Sequence, residues 1–266
     1  MITYNVFPGG KKRLVTFSYD DGQAEDKRLV ELFNKYNVKA TFHLNGIKYV
    51  DMSDKELKEL SCMYDGHEIS CHTLRHGWPA YMPGQSVVTE VMEDRKVLEK
   101  IAGYPVIGMS YPFGSYSEES ISAMKACGIV YSRTVDSTKS LRMPEDFMKW
   151  HPTCHHRDAM EICKNYIEQL DYRWSNPLFY IWGHSYELRT EDDWTYMEKL
   201  ISTLAEHSDK IWFATNIEIY NYIEAQKRLR INVDETVFYN PTDVTVWVEK
   251  NREEIIKIGA GETVKL

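Results

Sequence analysis

The chain has 266 residues, of which 43% are hydrophobic and 27% are charged, and its formal net charge at pH 7 is -8. This acidic balance, without a cluster of lysine and arginine, argues against a nucleic-acid partner. The sequence contains no run of about 18 apolar residues, so we expect no membrane partner. The N-terminus lacks the basic and apolar regions of a secretory leader, which favours a cytoplasmic protein.

The cysteine content excludes a disulfide-stabilised fold. The chain has five cysteines, an odd number, and none of them shows C-x-x-C spacing. Such a pattern predicts free thiols in a reducing compartment. The fold must therefore depend on a packed core, for which the chain is long enough.

Predicted strands and helices alternate along most of the chain. Residues 133–149 interrupt the alternation and are predicted to form a long loop. The predicted strands cover residues 14–19, 38–44, 67–71, 106–110, 129–132, 178–182 and 211–214. Two helices are predicted from apolar positions that recur at helical spacing, at 29–36 and 194–204. The starts of the others are predicted from a capping box at Ser53 and Glu56, an N-cap at Ser86, a start at Ser117, a second capping box at Asp158 and Glu161, and an N-cap at Asn216. The helix that starts at Ser117 is predicted to end at Gly128.

This alternation predicts an α/β fold, and we favour a (β/α) barrel of about seven strands over an open doubly wound sheet. The polar residues of interest follow several different strands, as in barrel active sites, and no G-x-G-x-x-G or P-loop motif is present. Short apolar runs at 236–239, 245–248 and 255–258 alternate with turn residues. We therefore predict a barrel domain over 1–230 and a small β-rich appendage over 231–266 that caps it.

The first predicted strand ends in two adjacent carboxylates, Asp20 and Asp21, followed by Gly22. In parallel α/β folds the carboxyl ends of the strands carry the active site. Helix capping needs only one such acid, whereas two neighbouring carboxylates repel each other unless a cation lies between them. The pair therefore indicates a metal site.

Two histidines supply the nitrogen donors that such a site needs. His72 and His76 are four residues apart, a spacing that brings both imidazoles together on a helical turn or a compact loop. Imidazole and carboxylate together suit Zn²⁺ or a similar divalent ion. The neighbouring His67 and Glu68 are expected to have structural roles, His67 packed below the site and Glu68 orienting a neighbour.

Four motifs in order give the chain a family resemblance. They are Ser-Tyr-Asp-Asp-Gly at 18–22, His-Thr-Leu-Arg-His at 72–76, Tyr-Pro-Phe-Gly at 111–114 and Trp-Gly-His at 182–184. In this order they resemble the motifs of the polysaccharide deacetylases of carbohydrate esterase family 4, the NodB-homology family. The resemblance extends over about residues 14–230.

The resemblance implies a distorted (β/α) barrel and metal-dependent removal of acetyl groups from an N- or O-acetylated carbohydrate. Asp21, His72 and His76 would bind the ion, for which zinc is expected and cobalt, nickel or manganese are alternatives. Asp20 would be the general base and His184 the general acid, although Glu187, His155 or His156 could replace His184. The backbone near Phe113 would hold the oxyanion, and Tyr111 and Trp182 would contact the substrate.

The chain also departs from the family pattern. Ser110 stands where the third motif normally begins with an arginine that orients the base, and Arg133 is a possible substitute. The family's Asp-x-x-Asp-Trp motif has no counterpart, and residues 150–156 occupy that interval. Two other functions stay open: hydrolysis of a small cyclic imide or ureide on the same fold, and glycan binding without catalysis.

Overall fold

The computed structural model describes residues 1–172 and 176–266. Its strands are β1 (Ile2–Thr3), β2 (Arg13–Asp20), β3 (Thr41–Leu44), β4 (Glu68–Cys71), β5 (Gly108–Ser110), β6 (Tyr131–Arg133), β7 (Cys154–His155), β8 (Leu178–His184), β9 (Ile211–Phe213), β10 (Arg230–Ile231), β11 (Val237–Tyr239), β12 (Val246–Lys250), β13 (Glu254–Ile258) and β14 (Thr263–Lys265). Its α-helices are α1 (Asp26–Lys35), α2 (Asp54–Met63), α3 (Gly84–Ala102), α4 (Glu118–Ala126), α5 (Ala159–Glu168), α6 (Glu191–Ala205) and α7 (Asn216–Lys227).

A parallel sheet organises the barrel, in the order β6-β5-β4-β3-β2-β8-β7. β2 lies at its centre, pairs with β8 along residues 14–20 and pairs with β3 only through residues 18–20. The first residues of β2, 13–15, pair instead with β9. A strand has two edges, so β3 and β9 share the edge of β2 that β8 does not use. This sharing distorts the barrel, as the family resemblance implies.

The sheet curls so that its two ends approach each other. Beyond β6 an isolated parallel bridge joins Arg133 to Trp150, in the segment that leads to β7. The Trp150 amide donates to the Ser132 carbonyl at 3.0 Å, and the Thr134 amide donates to the Trp150 carbonyl at 3.0 Å. The predicted (β/α) barrel architecture is thereby confirmed.

Side chains that alternate along the strands give the barrel a polar interior. Glu68, at the start of β4, is buried and accepts hydrogen bonds from the Thr41 hydroxyl at 2.9 Å and from the Tyr131 hydroxyl at 2.6 Å. It also accepts from the Ile217 amide at 2.9 Å. Glu68 therefore joins β3, β4, β6 and α7, the structural role expected for it.

The helix starts are only partly as predicted. Ser53 forms its capping box with Glu56, and Ser117 caps α4. Ser86 lies inside α3, because the helix begins at Gly84, whose amide donates to the Glu119 carboxylate at 3.2 Å. The predicted cap at Ser86 is therefore wrong, since a side chain of another helix satisfies the first turn.

Two further cap predictions are wrong. Asp158 precedes α5 but makes no side-chain cap bond, because its backbone has helical angles and belongs to the preceding 3-10 turn. At α7 the N-cap is Thr215, whose hydroxyl accepts from the Glu218 amide. Asn216 instead accepts a hydrogen bond from the Thr16 hydroxyl at 2.9 Å, inside the barrel.

The C-terminal residues form the short strands that the sequence predicts. β11 pairs with β10 and β14, and β12 pairs with β13 and with the N-terminal strand β1. Phe238, Val246 and Ile258 are buried in one apolar cluster with barrel residues such as Leu14 and Tyr180. The division of the chain into two domains near residue 230 stays a prediction.

Within the described residues, no helix combines the length and the apolar character that crossing a membrane requires.

Candidate active site

Four polar side chains follow the carboxyl ends of neighbouring barrel strands. In the strand register Asp20 of β2 lies beside His43 of β3 on one side and His184 of β8 on the other. His72 follows the end of β4, and its amide donates to the Leu44 carbonyl at the end of β3, at 3.1 Å. The structure therefore gathers these four side chains at one mouth of the barrel, as the sequence predicted for three of them.

Asp20 is a buried carboxylate with two donors. The Ser110 hydroxyl donates to its Oδ1 at 3.0 Å, and the Arg133 guanidinium donates to its Oδ2. Arg133 is fully buried and comes from β6, so this chain supplies a cation to Asp20 from a strand other than that of Ser110. Burial alone would raise the pKa of Asp20, but Arg133, followed by His72, lowers it well below its usual value.

Asp21, His72 and His76 bring one carboxylate and two imidazoles together. The Asp21 Oδ1 lies 3.6 Å from the His72 Nε2 and 3.5 Å from the His76 Nε2. The donor atoms of all three residues lie within 4.8 Å of one another. His72 is buried, whereas Asp21 and His76 are partly exposed, so the group opens toward solvent.

The hydrogen bonds of His72 leave the correct nitrogen free for a metal. The Ser110 hydroxyl gives its proton to Asp20, so the His72 Nδ1, 2.7 Å from that hydroxyl and 3.0 Å from the Ser110 carbonyl, is the donor there. The Nε2 that faces Asp21 then carries the lone pair. Burial lowers the pKa of His72 to about 4, so its imidazole is neutral near pH 7. The residues therefore fit a zinc-type ion.

The backbone at this mouth is unusual. Asp21, Thr73, His76 and Phe113 have positive φ angles of 79°, 59°, 56° and 58°. Such angles are unfavourable for side chains with a Cβ and persist where surrounding contacts impose them. At Asp21 those contacts include a bond from its amide to the His43 carbonyl at 2.9 Å. Strain at four site positions indicates a functional surface.

His184 lies on the opposite side of Asp20 from His43 and has an acidic neighbour. Its Nδ1 is 3.6 Å from the Glu187 Oε2. Burial alone would lower the pKa of His184, but Glu187, Asp20 and Asp21 raise it above its usual value. A raised pKa favours the protonated imidazolium, the form that a general acid needs.

The residues predicted to bind substrate differ in position. Phe113 is 49% exposed and stacks on Trp78, with ring centroids 3.8 Å apart, and its ring also contacts His76. Tyr111 is fully buried and its hydroxyl donates to the Met148 carbonyl at 2.7 Å. The Tyr111 side chain therefore belongs to the core, and a role of Tyr111 in binding the substrate or the oxyanion stays a prediction.

Trp182 is partly buried on the other side of the mouth. The Arg133 guanidinium carbon lies 4.5 Å from the centre of the Trp182 ring, and the His155 ring meets it edge-on at 5.1 Å. Trp182 therefore covers the arginine that holds Asp20. Contact of its ring with substrate stays a prediction.

Two site residues were missed by the sequence reasoning. His43 is fully buried beside Asp20, and among the described residues neither of its ring nitrogens has a hydrogen-bond partner. Asp94 of α3 is buried and accepts from the amides of Gly46 at 2.6 Å and His72 at 3.0 Å. Asp94 could have been found, because an acid at its position interrupts the apolar face formed by Val91 and Leu98.

The structure also gives the positions of His67 and of the residues that could replace His184 as the proton donor. The His67 Nδ1 accepts from the Ala40 amide at 3.2 Å, and its ring packs edge-on against Phe42, so it is a packing residue. Glu187, His155 and His156 form a separate group behind His184, in which the His155 Nε2 lies 2.8 Å from the Glu187 Oε2.

Comparison with known proteins identifies relatives of the chain. The family described as polysaccharide deacetylase matches residues 8–132. An Arthroderma benhamiae protein assigned as a peptidoglycan-N-acetylglucosamine deacetylase is 28% identical over 40% of this chain and 25% of its own length. YxkH of Bacillus subtilis, assigned to the polysaccharide deacetylases, is 26% identical over 48% of this chain and 46% of its own length. The chain thus spans between a quarter and about half of these relatives.

Solved structures share the fold. A Mycobacterium smegmatis protein assigned to the polysaccharide deacetylases has a TM-score of 0.63 and 16% identity, over 85% of this chain and 96% of its own. Others include an acetyl xylan esterase from Clostridium thermocellum in complex with cobalt, at 20% identity, and a Bacillus anthracis pseudoenzyme, at 15%. At these identities the likeness establishes the fold alone.

Proposed function

This chain belongs to the polysaccharide deacetylase family with the NodB-homology domain, and from that premise we propose that it is a metal-dependent hydrolase that removes acetyl groups from an N- or O-acetylated carbohydrate. The observation that carries the proposal is the position of Asp20, between a carboxylate–imidazole group on one side and His184 on the other. A hydrolase that activates a water molecule needs a general base, a general acid and an electrophile around one open space.

Asp21, His72 and His76 are the residues that would hold the ion. A divalent ion bound by them would supply Lewis acidity, which polarises an acetyl carbonyl and makes a water molecule more acidic. Zinc suits a site of one carboxylate and two imidazoles, and cobalt, nickel or manganese are the alternatives.

Two residues of the chain carry out the two proton transfers of the reaction. Asp20, ionised because Arg133 holds its pKa low, accepts the proton of the attacking water. His184, on the neighbouring strand, donates a proton to the amine or alcohol that leaves. The backbone near Phe113, set by its positive φ angle, is the proposed donor to the oxyanion.

The surface beside the proposed ligands supports a sugar substrate. Trp78 and Phe113 are each 49% exposed and stack with an interplanar angle of 8°. Tyr81, 83% exposed, lies next to Trp78, with ring centroids 6.4 Å apart. Because Phe113 also contacts His76, this aromatic surface begins at the proposed metal site. Exposed aromatic faces pack well against the apolar faces of pyranose rings.

The test compares metal content and acetate release in the wild type, Asp20→Asn and His76→Ala. The substrates are N-acetylglucosamine oligomers, peptidoglycan fragments and acetylated xylan. We expect Asp20→Asn to keep its metal and lose acetate release, since it lacks only the base. We expect His76→Ala to lose both acetate release and one equivalent of metal.

A matched control is His207→Ala, which removes a histidine that lies outside the metal-ligand groups found among the described residues. It should keep full metal content and activity. Acetate release that persists after the metal is removed would contradict the proposal. Turnover of a cyclic imide or ureide without acetate release would favour the small-amide hydrolase, and glycan affinity without any product would favour a binding protein.

A further inference from the structure

A second group of histidines and a glutamate lies behind His184, and its link to the proposed reaction is the Glu187 carboxylate beside that histidine. His155 ends β7, His156 follows it, and Glu187 ends the turn after β8. The Glu187 Oε2 lies 2.8 Å from the His155 Nε2 and 3.4 Å from the His156 Nε2. The three donor atoms lie within 4.8 Å of one another, the same limit that Asp21, His72 and His76 meet.

His156 is buried without the partners that an imidazole needs. Its side chain is 2% exposed, and among the described residues neither ring nitrogen has a hydrogen bond of acceptable geometry. A buried polar group left unpaired destabilises the folded protein, because it has lost its hydrogen bonds to water. The His156 Nε2 nevertheless points at the Glu187 carboxylate. A ligand that joins both would remove this unfavourable state.

The backbone of β8 makes room for the His156 ring. A Cβ atom at Gly183 would lie 2.3 Å from the His156 Nδ1. The His155 ring lies 4.3 Å from the His156 ring, centroid to centroid, and Tyr19 stacks on the His156 ring at 5.7 Å. The glycine therefore allows the imidazole to lie against the strand and reach Glu187.

The ring of His155 is held so that its Nε2 faces Glu187. Its Nδ1 accepts from the Arg157 amide at 3.4 Å, and its ring meets Trp182 edge-on. Because Nδ1 accepts this bond, the ring proton lies on Nε2, 2.8 Å from the Glu187 Oε2. An ion at Nε2 therefore requires that the proton moves to Nδ1 and that the long contact with the Arg157 amide is given up.

We propose that His155, His156 and Glu187 form a second binding site for a divalent cation of the zinc class. In a tetrahedral zinc site neighbouring ligand atoms lie about 3.4 Å apart, because each is about 2.0–2.1 Å from the ion. The His156–Glu187 separation already meets this value, and the His155 Nε2 must move away from Glu187 by roughly half an ångström as its proton shifts to Nδ1. The ion would join β7 to the end of β8.

The second site is separate from the first and shares no ligand with it. His184 lies beside it, with its Nδ1 3.6 Å from the Glu187 Oε2, and it is also the strand neighbour of Asp20. The Arg157 guanidinium approaches only the other oxygen of Glu187, Oε1, at 3.5 Å. The Glu187 Oε2 thus faces three imidazoles. One carboxylate oxygen together with imidazole nitrogens is a donor set that suits a transition-metal ion.

The test counts metal ions per chain. Metal-free protein is dialysed against Zn²⁺ and, separately, Co²⁺, and bound metal is measured by mass spectrometry. We expect two equivalents in the wild type, one in His155→Ala, one in His76→Ala and none in the double variant. His207→Ala is the matched control and should keep two.

The proposal would be overturned if the wild type binds one equivalent or if His155→Ala still binds two. Glu187 would then be a carboxylate that only accepts hydrogen bonds from its neighbours. Because the first site is counted separately through His76→Ala, failure here does not affect the proposed deacetylase site. His155→Gln, which keeps a polar side chain, repeats the measurement in case the alanine variant does not fold. Thermal unfolding should show that Zn²⁺ stabilises His76→Ala, and His155→Gln should lose that part of the stabilisation.

Discussion

At the scale of single residues, the proposed base is held by two residues from different strands. Ser110 of β5 donates to one oxygen of Asp20, and Arg133 of β6 donates to the other. In the family motif an arginine stands where this chain has Ser110. In this chain Ser110 gives Asp20 a hydrogen bond, and Arg133 supplies the positive charge. A buried carboxylate needs such a cation, because burial alone would make it take up a proton.

The first prediction concerns Arg133. Replacing it with glutamine removes the cation that keeps the pKa of Asp20 low, and burial then raises that pKa. The acidic limb of the kcat/KM profile should move to higher pH, and activity near pH 7 should fall by about 100-fold. The measurement is the pH dependence of acetate release.

Arg133→Lys is the matched variant, since it keeps the charge but not the two-pronged donor. It should keep the acidic limb closer to that of the wild type. Because Arg133 is fully buried, thermal unfolding of both variants must be compared first. An Arg133→Gln variant that folds and keeps the wild-type pH profile would contradict this account of Asp20.

The second prediction concerns Trp78, the exposed partner of Phe113. Replacing Trp78 with alanine removes one face of the aromatic surface and leaves the proposed base, acid and metal ligands in place. We expect KM for an acetylated oligosaccharide to rise by about 10-fold, with kcat changed little. Tyr239→Ala, which removes an exposed aromatic ring from β11, is the control and should change neither constant. A lower kcat with unchanged KM would contradict a binding role.

At the scale of secondary-structure elements, two exposed serines test what a helix cap contributes. Ser53 caps α2, where its hydroxyl accepts from the Glu56 amide and the Glu56 carboxylate accepts from the Ser53 amide. Ser86 is the third residue of α3. Ser53→Ala should therefore lower the free energy of unfolding by about 1 kcal/mol, and Ser86→Ala should change it by less than about 0.5 kcal/mol. Urea unfolding of both variants measures the difference, and equal effects would contradict the assignment.

These two serines also show which elements the sequence could predict. At Ser53 the cap and its partner lie within one turn, so a local pattern is sufficient. At Ser86 the local pattern is misleading, because the first amide of α3 is bound by Glu119 of α4. Strand alternation and apolar periodicity are local too, which is why the strands of the barrel were predicted close to their observed positions, except for the two-residue strand β7, which was missed.

The site residues likewise include some that a local sequence pattern predicts and others that it does not. Asp20, Asp21, His72 and His76 could be found from adjacent residues and fixed spacing. Contacts that join distant strands had no comparable signal. No spacing in the sequence predicts that His43 lies beside Asp20, since that depends on the register of β2 against β3. The burial of Tyr111 likewise depends on a hydrogen bond to Met148, far along the chain.

At the scale of the whole molecule, the barrel interior couples folding to pH. Burial raises the pKa of Glu68 from 4.5 to about 7, although the hydrogen bonds from Tyr131 and Thr41 act in the opposite direction. The side chain is 5% exposed and accepts hydrogen bonds from side chains of β3 and β6. Its protonated form is therefore the one that the folded protein favours over a wide pH range.

The last prediction follows from the sign of this shift. Below about pH 4.5 the carboxyl is protonated in both states, and its contribution to stability is complete. As the pH rises to about 7, the unfolded chain loses the proton first, so the free energy of unfolding falls by about 3 kcal/mol and then levels off. Glu68→Gln keeps a neutral side chain of the same shape and should lack this loss. Urea unfolding of both metal-free proteins at about pH 5 and about pH 8 should show wild type losing more stability than Glu68→Gln. The raised pKa values of Asp26 and Asp94 are common to both proteins and cancel in the difference, so parallel pH curves would contradict a protonated Glu68 in the barrel.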